Sequence, residues 1–209
     1  MGSRVSARGE RLSRTQQQAR TRQRLLEAAG EVIAEHGLDG ATIDDIAARA
    51  GYSRGAFYSN FEDKVALLIA LSDSRLAAFA DVTLPGLLTG TPDEQIAAVA
   101  RWLAGTEPPL EVLLLVELAR QRLQSPERAE ELAAAIDRVL VAVEELLTSY
   151  DPHGVEVPTE ERAAQARATL AAVLGADLLR HLGAGGDART LELLLAGIDA
   201  GVVRGTGSP

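Results

Sequence analysis

No cysteine occurs in the 209 residues, so a disulfide framework and any thiolate metal or redox centre are excluded. Lysine is almost as scarce: Lys64 is the sole one, and no G-x-x-x-x-G-K leads into it, so there is no P-loop. The three histidines, His36, His153 and His181, are isolated, and neither H-E-x-x-H nor a paired E-x-x-H occurs. Zincin and di-iron bundle chemistry are therefore not expected. G-x-S-x-G is missing too, and the Gly-rich run 183–186 follows a helical pattern rather than a strand, which suits a loop better than a phosphate cradle. No run of about 18 apolar residues occurs, and EVLLLVELA is too short to cross a bilayer and contains Glu111 and Glu117. The N-terminus lacks the apolar core of a signal peptide. These gaps lead us to expect a cytoplasmic protein with no catalytic centre, no cofactor and no bound metal.

What charge there is lies unevenly. The net charge is −9, yet residues 1–24 hold seven arginines against one acidic residue. Residues 1–64 are close to balanced at +1, and residues 65–209 carry −10. A cationic end backed by an acidic body fits a surface that meets a polyanion and a bulk that keeps the chain soluble. A charged N-terminal tail with no partner would give the same count.

At that end the order of residues is informative. In TIDDIAARAGYSRGAFYSNFEDK, Thr42 to Lys64, Thr42 and Asp45 have the spacing of a capping box. Ile43, Ile46, Ala47 and Ala50 then recur at helical spacing. Gly51 sits where a left-handed residue would stop that helix. Ser53 can cap a second short helix, in which Phe57 and Phe61 face inward while Arg54, Gly55, Tyr58 and Asn60 stay on the surface. Helix, glycine-bearing turn and short helix is the pattern of a DNA-reading helix-turn-helix. It is equally the pattern of a bundle corner with a solvated face, and periodicity does not separate the two.

The residues themselves carry the distinction further. The run from Thr21 to Leu67 resembles the DNA-binding domain of the TetR family of bacterial transcriptional regulators. The likeness rests on Thr21-Arg22, Ala28-Ala29, Gly37, Thr42, Ile46-Ala47, Ala50-Gly51, Ser53, Gly55, Phe57-Tyr58, Phe61 and Lys64. Val65 departs from it, since the family often has Glu after the lysine. The resemblance covers about a quarter of the chain and implies an all-α protein: an N-terminal three-helix domain with a helix-turn-helix, followed by a larger helical bundle for ligand binding and dimerisation, about nine helices in all. The expected division is a flexible basic arm over 1–20, a DNA-binding domain over 21–64 and an effector-binding and dimerisation domain over 65–205. Double-stranded DNA with an inverted-repeat operator is the implied partner. Arg54 would read guanine with both arms of its guanidinium, and Gly55 would let the helix sit close. Arg22, Thr42, Ser53, Tyr58, Asn60 and Lys64 would contact phosphates or bases, with capping as the simpler role for Thr42 and Ser53.

Past residue 64 the body reads as helices marked by strong start signals, such as Thr91-Pro92-Asp93-Glu94 and Ser125-Pro126-Glu127. The last two have wide apolar stripes. Leu170, Leu174, Leu178, Leu191, Leu194 and Ile198 are expected at a homodimer interface, as the resemblance implies, although burial within one subunit would also use them. Scarce aromatics and unclustered histidines point to a small apolar or amphipathic organic effector rather than a metal. Its expected contacts are Trp102, Leu114, Leu115 and Leu118, with Glu117, Arg120 and Tyr150 as polar groups. These features together suggest a ligand-responsive transcriptional regulator, most often a repressor in that family. The alternative is a helical carrier or interaction module whose DNA-binding end has lost its use.

Overall fold

The structure is a computed structural model that describes residues 13–87, 89–105, 110–149, 158–181, 183, 185 and 188–205. Among these residues no strand occurs, and the chain is all-α as expected. It forms two compact units that meet in sequence between Leu67 and Leu68, three residues past the expected boundary.

The first unit is built on α1 (Arg14–Gly40), α2 (Ile43–Arg49) and α3 (Arg54–Tyr58), and α4 (Lys64–Ala78) begins in it. Leu25, Leu26, Ala29, Val32 and Ile33 bury one face of α1, and Ile46 and Ala47 bury one face of α2. Phe57 and Phe61 are buried as well, with ring centroids 5.6 Å apart. Each fully buried Leu, Ile or Phe of this core contributes about 1.5–3 kcal/mol of transfer free energy. The composition suggests an unstructured arm up to residue 20, but α1 starts earlier. Ser13 caps it: its Oγ accepts from the Gln16 amide at 3.2 Å, and the Gln16 side chain accepts from the Ser13 amide at 2.7 Å. That capping box starts the helix about two turns before Thr21, and residues 1–12 lie outside those described. At the other end Gly37, at φ 72° and ψ 172°, breaks the helix where a C′ glycine was expected.

The second unit contains the rest of α4 and α5 (Leu84–Leu87), α6 (Pro92–Gly105), α7 (Leu110–Gln124), α8 (Ala129–Ser149), α9 (Thr159–His181) and α10 (Ala188–Gly205). Helix α8 packs on α7 and α9, and α10 packs on α6 and α9. One core knot joins Ala100 of α6, Ala176 of α9 and Leu191 of α10, with Val173 against it. The Arg138 guanidinium reaches both carboxylate oxygens of Asp73, at 2.8 and 3.0 Å, and ties α8 to α4. The α6 start behaves as its sequence suggests: the Thr91 amide donates to Glu94 Oε2 at 2.7 Å and the Glu94 amide to Thr91 Oγ1 at 3.4 Å. One boundary differs. Where Leu84-Pro85-Gly86 suggests a stop, α4 passes through a π-helical turn (Phe79–Thr83) into α5. Pro85 has no amide hydrogen and its ring crowds the carbonyl four residues back, and a widened turn relieves both without ending the helix.

Candidate nucleic-acid interface and body cavity

Helix α2 begins at Thr42, whose Oγ1 accepts from the Asp45 amide at 3.1 Å while its hydroxyl donates to the Asp45 carboxylate. It ends at Gly51, where φ is 75°. The chain turns, and Ser53 caps α3 by accepting from the Ala56 amide at 3.3 Å. Phe57 is the anchor: it faces the core, so its neighbours at 54, 55 and 58 stand outside. Arg54 lies against Asp44 of α2, with Nη1–Oδ2 at 3.0 Å, and over the Tyr58 ring at 5.7 Å from the centroid. A hydrogen bond with Tyr58 and the neighbouring charge of Asp44 hold this guanidinium still more firmly in its cationic form. Gly55 is exposed and helical, and a Cβ built there would meet Ser53 Oγ at 3.6 Å, an ordinary contact. The fold itself therefore has room for alanine at 55.

Three of the expected DNA contacts also bond within the unit. The Arg22 guanidinium lies over the Phe61 ring at 4.2 Å and donates to the Asn60 carbonyl at 2.9 Å. Lys64 is half-buried and its ammonium donates to the Leu38 carbonyl. Asn60 is half-buried, with Nδ2 donating to the Ala56 carbonyl at 2.8 Å and Oδ1 buried without a partner among the described residues. These groups clamp α1, α3 and the start of α4 together. Reading the sequence missed two exposed cations instead, Arg20 and Arg24, which flank Tyr52. A hydrogen bond with Thr21 and the charges of these two arginines hold its phenol below the usual tyrosine range. Their part in the N-terminal excess of positive charge was the available signal.

The Lys64 clamp is testable. Lys64→Ala should lower the stability of the first unit by about 1–2 kcal/mol, because a charge-assisted hydrogen bond is lost and a carbonyl is left without its donor. Urea unfolding followed by circular dichroism would measure it. An unchanged midpoint, with only DNA affinity reduced, would remove the clamp and leave Lys64 with the expected phosphate contact alone.

Comparison with known proteins bears on the same segment. The family described as bacterial regulatory proteins, tetR family, matches residues 25–71, which takes in all of α2 and α3. The chain carries the DNA-binding domain of the TetR family. Over 85 residues it is 38% identical to the HTH-type transcriptional repressor AcnR of Corynebacterium diphtheriae, covering 40% of this chain and 45% of that protein. It is 33% identical over 126 residues to an HTH-type transcriptional repressor of Mycobacterium tuberculosis, covering 56% and 63%. The chain thus aligns with under two thirds of the length of these relatives. A solved transcriptional regulator from Rhodococcus sp. Rha1 shares the fold at a TM-score of 0.62 and 23% identity, over 90% of this chain and 98% of that one.

Beyond the TetR domain, the body holds a cavity of about 160 Å³. Trp102, Leu114 and Leu115 line it, as expected for an effector site. Leu118 is fully buried and does not line it. Glu117 is also turned away, bound to the Arg120 Nε at 2.7 Å, and neither residue lines the cavity. Tyr150 lies outside the described residues. The polar groups that do line it, Ser72, Arg75 and Thr169, sit on helices from which no polar contact was expected. The proposed interface residues divide similarly. Leu170 lines the cavity, and Leu191, 3% exposed, is locked in the knot with Ala100 and Ala176; both face inward because α9 and α10 also cover their own core. Leu174 and Ile198 are half-buried, Leu194 is exposed, and the Leu178 side chain lies outside those described. Leu179 and Leu193 are exposed apolar residues of the same two helices. Among the described residues no helix is long and apolar enough to cross a membrane, and no group of His, Asp and Glu side chains could hold a metal ion.

Proposed function

We propose that the chain is a cytoplasmic transcriptional repressor that binds an inverted-repeat DNA operator as a homodimer and releases it when a small organic effector occupies the body. The observation that carries this reading is α3: Phe57 fixes it to the core while Arg54, Gly55 and Tyr58 form one exposed edge at the end of a helix-turn-helix. Arg54 reads a guanine through O6 and N7, and Tyr58, Thr42 and Ser53 offer hydroxyls to phosphates. Arg20 and Arg24 supply further positive charge to the backbone. Repression rather than activation is supported by the relatives named as repressors. The effector acts by binding the DNA-incompetent arrangement more tightly, since a ligand that binds both arrangements equally shifts nothing. A coupling of about 1–3 kcal/mol between cavity and operator is sufficient.

The test is a gel shift with the DNA flanking the protein's own gene. The unaltered chain should shift a discrete fragment in the presence of competitor DNA. Arg54→Ala should bind that fragment roughly ten- to a hundredfold more weakly, with little change on unrelated DNA. If Arg54→Ala weakens specific and unrelated DNA equally, Arg54 is a phosphate contact and the base-reading role is lost. If no fragment shifts at all, the regulator reading falls.

A further inference from the structure

We propose that the body cavity takes an uncharged lipophilic molecule and holds it by one carbonyl or hydroxyl oxygen at Ser72. This deepens the effector reading and rests on it for its regulatory meaning, while the binding itself can be measured without DNA.

Ser72 is the residue that points there. It lies on α4, is only 8% exposed and lines the cavity. A serine inside a helix ordinarily faces water or bonds back to the carbonyl four residues earlier. Ser72 is turned away from bulk solvent, and among the described residues its hydroxyl has no hydrogen-bond partner. Thr169 of α9 lines the same cavity, and its hydroxyl is likewise without a partner among the described residues. A buried hydroxyl has little access to water, so a ligand oxygen that completes its bonding gains more there than at a surface. The hydroxyl both donates and accepts, which suits a carbonyl or an alcohol.

The rest of the lining disfavours an ionised head group at that depth. Among the described lining residues there is no Asp, Glu, Lys or His, and Arg75 is exposed at the rim and already has a partner. A carboxylate or ammonium sunk to Ser72 would shed its hydration for a single hydroxyl, whereas a ketone or an alcohol leaves far less behind. The apolar part of the ligand meets Phe79 and Trp102, whose ring centroids lie 4.8 Å apart, and the fully buried Leu114. Phe79 and Trp102 are half-buried, so the far end of a ligand can extend past them toward solvent.

Trp102 is the sole tryptophan, so its fluorescence reports the cavity directly. The full chain is titrated with 2-octanone, 1-octanol, octanoate and ethylbenzene, with calorimetry giving stoichiometry. We expect one molecule of 2-octanone or 1-octanol per chain. Ser72→Ala should weaken both roughly three- to tenfold, the loss of one buried hydrogen bond. It should leave ethylbenzene, which has no oxygen, unchanged, and this also shows the variant is folded. Octanoate should bind more weakly than 1-octanol and be indifferent to Ser72→Ala. No effect of Ser72→Ala on the ketone and the alcohol, or an equal loss for ethylbenzene, would overturn the role of the hydroxyl. Tighter binding of octanoate than of 1-octanol would overturn the preference for an uncharged ligand, and no binding by any of the four would overturn the site. Stoichiometric binding that never releases operator DNA would leave this inference standing and remove the effector reading instead.

Discussion

A chain carrying Leu193→Asp and Leu194→Asp together should sediment as a monomer and hold an inverted-repeat operator roughly 100- to 10,000-fold more weakly than the unaltered chain. The size of the effect comes from linkage. Each chain offers one α3, so a dimer reads two half-sites, and the second contact is made at the effective concentration set by the first. A monomer keeps only one half-site. The two leucines are chosen because they are 59% and 42% exposed on α10, while Leu191 of the same helix is already spent on Ala100 and Ala176. Paired apolar stripes on α9 and α10 are the self-complementary kind of surface that a two-fold axis demands. Aspartate at exposed positions leaves the chain's own core intact, so the variant should still unfold cooperatively. Leu123→Asp is the control. Leu123 is 86% exposed on α7, and its replacement should change neither mass nor binding. Analytical ultracentrifugation at micromolar concentration decides the matter. A double variant that remains dimeric would move the interface off α10, and an unaltered chain that is monomeric would end the dimer reading.

Gly55→Ala should raise stability and lower DNA affinity at once. Helical glycine costs about 1 kcal/mol relative to alanine, so thermal unfolding should show a gain of up to that amount. The fold has no objection to the methyl group, which would lie 3.6 Å from Ser53 Oγ. The described chain itself does not require glycine at this position. A major groove closing on a seated recognition helix would, and the added methyl should weaken operator binding about tenfold or more, the loss of one good base contact. Gly51→Ala makes the contrast. At φ 75° that residue is left-handed, and alanine there should destabilise by about 1–2 kcal/mol despite having open space around it. Should Gly55→Ala bind the operator as well as the unaltered chain, close approach at residue 55 is not part of recognition.

Local signals were legible in the sequence, and partnerships across the chain were not. Thr42, Ser53 and Thr91 each cap the helix that their spacing indicates, because a cap is decided within four residues. Gly37 and Gly51 end helices for the same reason. The intramolecular partners of Arg22 and Lys64 gave no sign, because the Asn60 and Leu38 carbonyls lie 38 and 26 residues away and no periodicity connects them. The cavity was harder still. An apolar position on a helix looks alike whether it fills a core, faces a void or awaits a second subunit. Leu170 and Leu118 were accordingly assigned to the interface and the cavity, and they occupy the cavity and the solid core respectively. Arg75 and Thr169 gave no sign at all, since a polar residue on an amphipathic helix ordinarily means solvent.

The ion pair between Arg54 and Asp44 has a consequence for the ionic atmosphere of any DNA complex. An arginine that already rests on a carboxylate approaches the duplex as part of a neutral pair. When its guanidinium swings to a base edge, the carboxylate it leaves behind takes up a cation from solution, and this offsets an ion shed by the DNA. Binding should therefore fade with added salt more gently than a tally of the basic residues at this end of the chain implies.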